Sequence, residues 1–188
     1  MKKERALEIV LGCIPETTAT LCCNGHISRQ VYATGDKPGR FYMIGSMGMA
    51  PSIGLGICVA KPGQHVAVID GDGNVLMNMG ALASVASQQP KHFTHFCFDN
   101  GRHASTGGQR TITDKIDLAA IAGAAGYGWA KRCEDESQLE ALAKEALATE
   151  GPSFLLVKVD PGGLAEGTAR VDITPEDMAR RLKQFIAS

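Results

Sequence analysis

Asp72 and Asn100 are the residues whose types and spacing most directly suggest chemistry. Asp72 sits in Gly71-Asp72-Gly73-Asn74, which follows the apolar run Val66-Ala67-Val68-Ile69-Asp70 without a break, and a helical pattern begins within a residue or two. A carboxylate so placed hangs over a strand end beside the backbone N–H groups of a helix N-terminus, where a phosphate is also favoured. Asn100 follows 28 positions later in Asp99-Asn100-Gly101, after one helix and one further strand. One crossover can set the two strands side by side, so that the Asp72 carboxylate and the Asn100 amide oxygen reach one point. Two hard oxygens and a loop carbonyl form an incomplete octahedron that suits Mg2+, provided a diphosphate supplies the other ligands. Each tripeptide alone is also an ordinary turn sequence. Their pairing, each at the end of an apolar strand, is what points to metal–diphosphate chemistry.

The elements that must position these residues alternate regularly. Short β-branched or aromatic runs at Ala19–Cys23, Phe41–Ile44, His65–Ile69, Phe93–Phe98 and Phe154–Val159 each lead into Gly, Asn or Asp, and read as strands buried on both faces. Between them lie helical patterns at Glu4–Gly12, Ile27–Ala33, Pro51–Ala60, Val75–Gln88, Asp117–Ala125, Glu136–Ala148 and Pro175–Ile186. The last opens with Thr174-Pro175-Glu176-Asp177, an N-cap followed by proline at N1 and acids in the first turn. The alternation predicts an α/β fold, a three-layer αβα arrangement around a mostly parallel, doubly wound sheet, with residues 1–188 as one domain. Ligands of such sheets bind beyond the carboxyl ends of the strands. The residues there are Asn24-Gly25, Gly45-Ser46-Met47-Gly48, Gly71-Asp72-Gly73-Asn74, and Asp99-Asn100-Gly101 running on to Ser105-Thr106-Gly107-Gly108-Gln109. They form either a site or four turns.

Composition narrows the classes. Nineteen Lys and Arg against twenty Asp and Glu give a net charge of −1, which argues against a partner held by bulk electrostatics, whether nucleic acid or membrane surface. The apolar stretch around Ile53–Ala60 is too short and too glycine-rich to span a bilayer. Six cysteines lie mostly inside apolar runs, with no CxxC and no apolar leader after Met1-Lys2-Lys3-Glu4-Arg5. They read as reduced core cysteines of a cytoplasmic protein.

Further residues also invite a functional reading. Gly54-Leu55-Gly56 suggests a dinucleotide loop, but Val59 stands where Gly or Ala is wanted and Pro51 puts the glycines inside a helix, so close helix packing explains them better. His92 and His95 belong to a strand, where they pack or hydrogen-bond. His103 lies in the glycine-rich loop after Asn100, able to relay a proton or bind an anionic substrate. Arg102 and Arg110 flank that loop as surface residues or as forked partners for a sulfonate or phosphonate, and His26 is a weaker candidate of the same kind.

Gly71-Asp72-Gly73 with Asn100 resembles the cofactor motif of the thiamin-diphosphate-dependent enzymes. The text around it, from Gly45-Ser46-Met47-Gly48 through Asn74-Val75-Leu76-Met77 to Ser105-Thr106-Gly107-Gly108-Gln109, resembles the sulfopyruvate and phosphonopyruvate decarboxylases over nearly the whole chain. The likeness is to the β-subunit type of the former and the C-terminal domain of the latter. It implies that Asp72, the Asn100 side chain and the Arg102 carbonyl hold Mg2+, and that Gly73 and Asn74, next to Gly71, bind the diphosphate. It further implies that the Gly45 carbonyl and the Met47 N–H, on either side of Ser46, contact the aminopyrimidine while the Met47 thioether props the cofactor in a bent shape. Where such relatives often carry a Tyr- or Asp-bearing stretch, this chain has Arg102-His103-Ala104, which leaves the substrate open. The expected activity is decarboxylation of a small anionic 2-oxo acid, with His103 as the candidate catalytic side chain. Only the diphosphate-binding half is represented. The resemblance therefore implies a hetero-oligomer in which a pyrimidine-binding-domain subunit supplies the activating glutamate. The alternative is a non-catalytic cofactor-binding or regulatory half of another thiamin-diphosphate enzyme complex.

Overall fold

The apolar runs pair as parallel strands because both of their faces are covered. In the computed structural model, which describes residues 1–165 and 167–188, the strands are β1 (Ala19–Cys22), β2 (Arg40–Tyr42), β3 (Val66–Gly71), β4 (His92–Asp99), a hairpin of β5 (Arg102–His103) and β6 (Gln109–Arg110), β7 (Trp129–Cys133) and β8 (Gly151–Lys158). The helices are α1 (Lys3–Cys13), α2 (His26–Ala33), α3 (Ala50–Ala60), α4 (Asp72–Met77), α5 (Gly80–Gln88), α6 (Leu118–Ala125), α7 (Glu136–Ala148) and α8 (Pro175–Ala187). Six strands form one parallel sheet in the order β2-β1-β3-β4-β8-β7, and among the described residues only the β5–β6 hairpin is antiparallel. Helices α1, α2 and α7 cover one face, and α3, α5 and α6 the other. The expected αβα architecture with a doubly wound sheet is the one observed.

The core lies in the central strands. Every residue of β3 is buried, as are Phe93, Phe96 and Phe98 of β4 and Phe154 and Leu155 of β8. Each such side chain contributes about 1.5–3 kcal/mol by leaving water. α3 approaches this core closely: a Cβ on Gly54 would stand 3.0 Å from both Phe93 and Val66, so its glycine serves packing, as the sequence suggested. All six cysteines are free, five of them buried.

Three local expectations are corrected. The helix expected over Val75–Gln88 is two, α4 and α5, parted at Asn78, whose φ of −146° and ψ of 60° end the first. Asn78 leaves the helix because its side-chain amide donates to the Gly48 carbonyl at 3.1 Å. β7 carried no strand signal because it is an edge strand whose Lys131 and Arg132 face water. The loop after Asn100 folds into the β5–β6 hairpin, pairing Arg102 with Arg110 and His103 with Gln109.

The chain passes from β1 outward to β2, then returns across β1 to β3. The sheet's topological switch point therefore lies between the carboxyl ends of β1 and β3, where a ligand crevice is expected.

Candidate functional site

A cleft opens at that switch point, lined by Lys3, Cys23, Asn24, His26, Met47, Gly71, Asp72, Gly73, Asn74, Asn100, Arg102 and His103. β3 ends at Gly71, and Asp72 begins α4 with its side chain buried to 2% exposure. The adjacent strand β4 ends at Asp99 and hands the chain to Asn100, so neighbouring parallel strands bring Asp72 and Asn100 to one cleft across 28 positions.

Burial pushes the Asp72 carboxyl up to about 6, and the nearby Asp99 carboxylate adds to that. A Thr111 hydroxyl and the backbone N–H groups of Gly73 and Asn100 pull the other way. The Thr111 Oγ1 stands 2.6 Å from Asp72 Oδ2, contacts Thr113 Oγ1 at 3.0 Å, and Thr113 in turn donates to Asp99 Oδ1 at 2.8 Å. Lys158 closes the row on Asp99 Oδ2 at 2.7 Å. Asp99 is thus committed to protein partners, whereas the other Asp72 oxygen, Oδ1, accepts no side-chain hydrogen bond among the described residues. Asn100 Oδ1 accepts from the Arg102 N–H at 3.1 Å, shaping the turn into the hairpin.

The Gly45–Gly48 loop is docked on α4 from the other side. Gly48 N–H donates to Asn74 Oδ1 at 3.0 Å, and a Cβ on Gly48 would stand 2.7 Å from Asn78 Cβ, so no larger residue fits there. The loop turns through Ser46 at φ 56° and leaves Met47 half-buried in the cleft while Gly45 and Ser46 are exposed.

The hairpin covers the cleft. His103 lies over Gly73, where a Cβ would come 2.5 Å from its Nδ1, and Ser105 lies over Gly25, where a Cβ would come 2.8 Å from Oγ. Gly25, at φ +85°, adopts a backbone conformation that L side chains rarely take. Arg102 donates to the Gly108 carbonyl at 3.1 Å and braces the hairpin. Arg110 does not line the cleft. It is 73% exposed and ion-paired with Asp114 at 3.0 Å, so the structure gives no support to its pairing with a substrate there.

Of the histidines, His92 stacks on His65 with ring centroids 4.1 Å apart, and His95 is fully buried with Nε2 3.1 Å from Asp70 Oδ2, both in packing roles as expected. His26 lines the cleft, and its Nδ1 is buried with no hydrogen-bond partner, as is the Asn24 Oδ1 beside it. Burial lowers the His26 pKa, and the Lys3 and Arg29 cations lower it further.

Lys3 on the cleft lining and Thr111 behind Asp72 carry no motif in the sequence. Thr111 reaches Asp72 only because the hairpin turns the chain back. Lys3 did leave a trace, since it occupies the apolar stripe that continues through Ala6, Leu7, Val10 and Leu11 on α1, where a lysine is out of place.

These residues suit a divalent cation and a diphosphate together better than a cation alone. Among the described residues no cluster of three or more His, Cys, Asp or Glu side chains stands ready to hold a metal. One carboxylate and one amide oxygen leave most of an octahedron to an oxygen-rich ligand.

Comparisons with known proteins agree with this geometry. Residues 22–157 match the family model of the thiamine pyrophosphate enzyme, C-terminal TPP binding domain. The chain is 40% identical over 183 residues to a phosphonopyruvate decarboxylase of Streptomyces viridochromogenes, covering 97% of this chain and 46% of that protein. It is 37% identical over 186 residues to sulfopyruvate decarboxylase subunit beta of Methanothermobacter thermautotrophicus, covering 99% and 94%. The chain thus spans just under half the length of the phosphonopyruvate decarboxylase and nearly all of the beta subunit. The crystal structure of benzoylformate decarboxylase from Polynucleobacter necessarius shares the fold, with a TM-score of 0.74 at 16% identity over 87% of this chain and 34% of that one. The chain belongs to the thiamine pyrophosphate enzymes and carries their C-terminal TPP-binding domain.

Proposed function

We propose that this chain supplies the diphosphate-binding half of a thiamin-diphosphate- and Mg2+-dependent decarboxylase acting on a small anionic 2-oxo acid of the sulfopyruvate or phosphonopyruvate type. The observation that carries the reading is the convergence of Asp72 and Asn100 at the switch point of the sheet, in a chain similar to enzymes named for those substrates. Residues 1–188 act as one domain, in the cytoplasm, where free cysteines such as the six here persist.

In this reading Asp72, the Asn100 side chain and the Arg102 carbonyl hold Mg2+. Gly73 and Asn74 hold the diphosphate, with Gly71 delivering the chain from β3. The loop through Gly45, Ser46 and Met47 receives the aminopyrimidine. Bound there, thiamin diphosphate supplies the electron sink for loss of CO2. His103, over Gly73, is placed to move a proton or to receive an anionic group of the substrate.

The partner is a pyrimidine-binding-domain subunit that brings the activating glutamate, giving a hetero-oligomer. Supporting this, apolar side chains crowd the rim of the Gly45–Gly48 loop and the α4–α5 turn: Ile44 is 64% exposed and Met77 62%, with Met49 and Met79 also exposed. Such a patch suits a docking surface. The test is to isolate the native complex through this chain and measure CO2 release from sulfopyruvate, phosphonopyruvate and pyruvate with thiamin diphosphate and Mg2+. Turnover that depends on both cofactors and on the partner supports the proposal. A complex that binds the cofactor and releases no CO2 from any 2-oxo acid makes the chain a non-catalytic half instead.

A further inference from the structure

Lys3 is a lysine in the wrong place for a surface helix. It is 4% exposed, on the buried stripe of α1, and its side chain lines the same cleft as Asp72, Asn74 and His26. Among the described residues its ammonium has no ion pair within 4.0 Å and makes no side-chain hydrogen bond. Its stem is buried while Nζ is not among the side-chain nitrogens and oxygens shut off from solvent, so the ammonium opens into the cleft, where an anion can reach it. Burial lowers the Lys3 pKa against the pull of Glu4, Cys23 and Asp72. Asp72 is the one carboxylate among the described residues that line the cleft.

The cleft holds further unmet polar groups, the His26 Nδ1 and the Asn24 Oδ1. Lys3 and His26 line the same cleft, and the Lys3 charge is one of the causes that lower the His26 pKa. A cation, an imidazole and an Asn side chain that rotation of its amide turns into a donor face the same space as Asp72. A polyanion that takes Mg2+ on one flank and N–H donors on the other satisfies all of them at once.

We infer that Lys3 is a binding residue for the terminal phosphate of the diphosphate, reaching it from α1 in the cleft that it lines together with Asn24 and His26. The inference rests on the proposed diphosphate site and adds to it a residue from an element outside the Asp72–Asn100 motif. As a compact point charge Lys3 neutralises the terminal phosphate without demanding a fixed geometry.

The test uses the full chain and inorganic pyrophosphate with Mg2+, which probes the phosphate end of the site independently of turnover. Calorimetry should show Lys3→Met weakening pyrophosphate binding about 10- to 100-fold, the loss expected for one charge-assisted contact, with Lys3→Arg retaining most of the affinity. The unliganded Lys3→Met protein should melt no lower than the wild type, since methionine keeps the buried apolar stem and no ion pair of Lys3 is lost among the described residues. Asp72→Ala is the control for the site. If it abolishes Mg2+-dependent binding while Lys3→Met binds like the wild type, the role of Lys3 is overturned and the site stands. If the wild type fails to bind pyrophosphate, or Asp72→Ala leaves binding unchanged, the diphosphate site itself falls and the inference with it. Should Lys3→Met not fold, reductive methylation of the wild type decides the matter: Mg2+–pyrophosphate should protect Lys3, and equal labelling with and without it overturns the inference.

Discussion

The Thr111 hydroxyl stands 2.6 Å from an Asp72 carboxylate oxygen, a contact made across 39 residues by the return of the β5–β6 hairpin. The row Asp72–Thr111–Thr113–Asp99 has a proton count. With Asp72 ionised, each threonine gives its one hydrogen to a carboxylate, and the 3.0 Å contact between the two hydroxyls carries none. With Asp72 protonated, its hydrogen goes to Thr111, that of Thr111 to Thr113, and that of Thr113 to Asp99, so every contact is a hydrogen bond. Without a cation the row can therefore take up a proton at Asp72 below about pH 6, where burial pushes that carboxyl, while Thr111 donating to Asp72 favours the ionised form above it. Thr111→Val should weaken Mg2+-dependent pyrophosphate binding about tenfold, because the oriented Asp72 loses its side-chain partner. Calorimetry against the wild type checks this, and an unchanged affinity would make Thr111 a packing residue only.

A stability profile should show the same proton. Asp72 has a folded-state pKa raised from 3.8 to about 6, so the fold is favoured by its protonated form. Its contribution is fully present below about pH 4 and is lost as pH rises through 6, reaching about 3 kcal/mol by pH 7. Urea midpoints of the metal-free, cofactor-free chain should fall across that window. Asp72→Asn should flatten the step and be the more stable protein at pH 7. A wild-type profile with no step between pH 4 and 7 would contradict the assignment.

Gly73 and His103 are in steric register, since any Cβ at Gly73 would meet the imidazole at 2.5 Å. Gly73→Ala should destabilise the unliganded chain by about 1–3 kcal/mol, the usual cost of overpacking. The double variant Gly73→Ala/His103→Ala should recover most of that loss, because the ring is what the new methyl strikes. Thermal melts of the four proteins in the cycle measure the coupling, and additive losses would show that the hairpin does not rest on Gly73.

Much of this arrangement was legible because strands buried on both faces write continuous apolar runs, and the residues ending them are the ones the switch point gathers. β3 and β4 announced Asp72 and Asn100 in this way. β7 did not, because an edge strand with Lys131 and Arg132 facing water has no apolar run to show. The break at Asn78 was hidden because its cause, the Gly48 carbonyl, lies 30 positions away. Thr111 was invisible for the same reason, whereas Lys3 was readable in principle as a charge on the apolar stripe of α1.

Replacing the cleft's ligands should separate charge from geometry at the metal. Asp72→Ala removes the sole carboxylate among the described residues that line the cleft and should abolish Mg2+-dependent cofactor binding by the assembled complex. Asn100→Ala removes a neutral oxygen, together with the turn contact to the Arg102 N–H, and should weaken binding less. Calorimetry that ranks the two variants in the opposite order would move the cation off Asp72.

Substrate charge should divide the cationic residues of the hairpin. No acidic residue lies between Gly101 and Thr113, so the side chains over the cleft favour a dianionic 2-oxo acid whose second charge supplies binding energy away from the departing carboxylate. Pyruvate should accordingly be turned over by the complex with a kcat/KM about one to two decades below that of a 3-sulfonated or 3-phosphonated analogue, the loss of one charge-assisted contact. His103, half-buried over Gly73, should carry part of this preference, and His103→Ala should narrow the gap. Arg110, exposed and already paired with Asp114, should not, so Arg110→Ala should leave the ratio unchanged. Equal kcat/KM for pyruvate and the dianions would show that the second charge is not read by this half of the site. A gap that closes in Arg110→Ala and persists in His103→Ala would mean that the hairpin turns its other face to the substrate when the complex assembles.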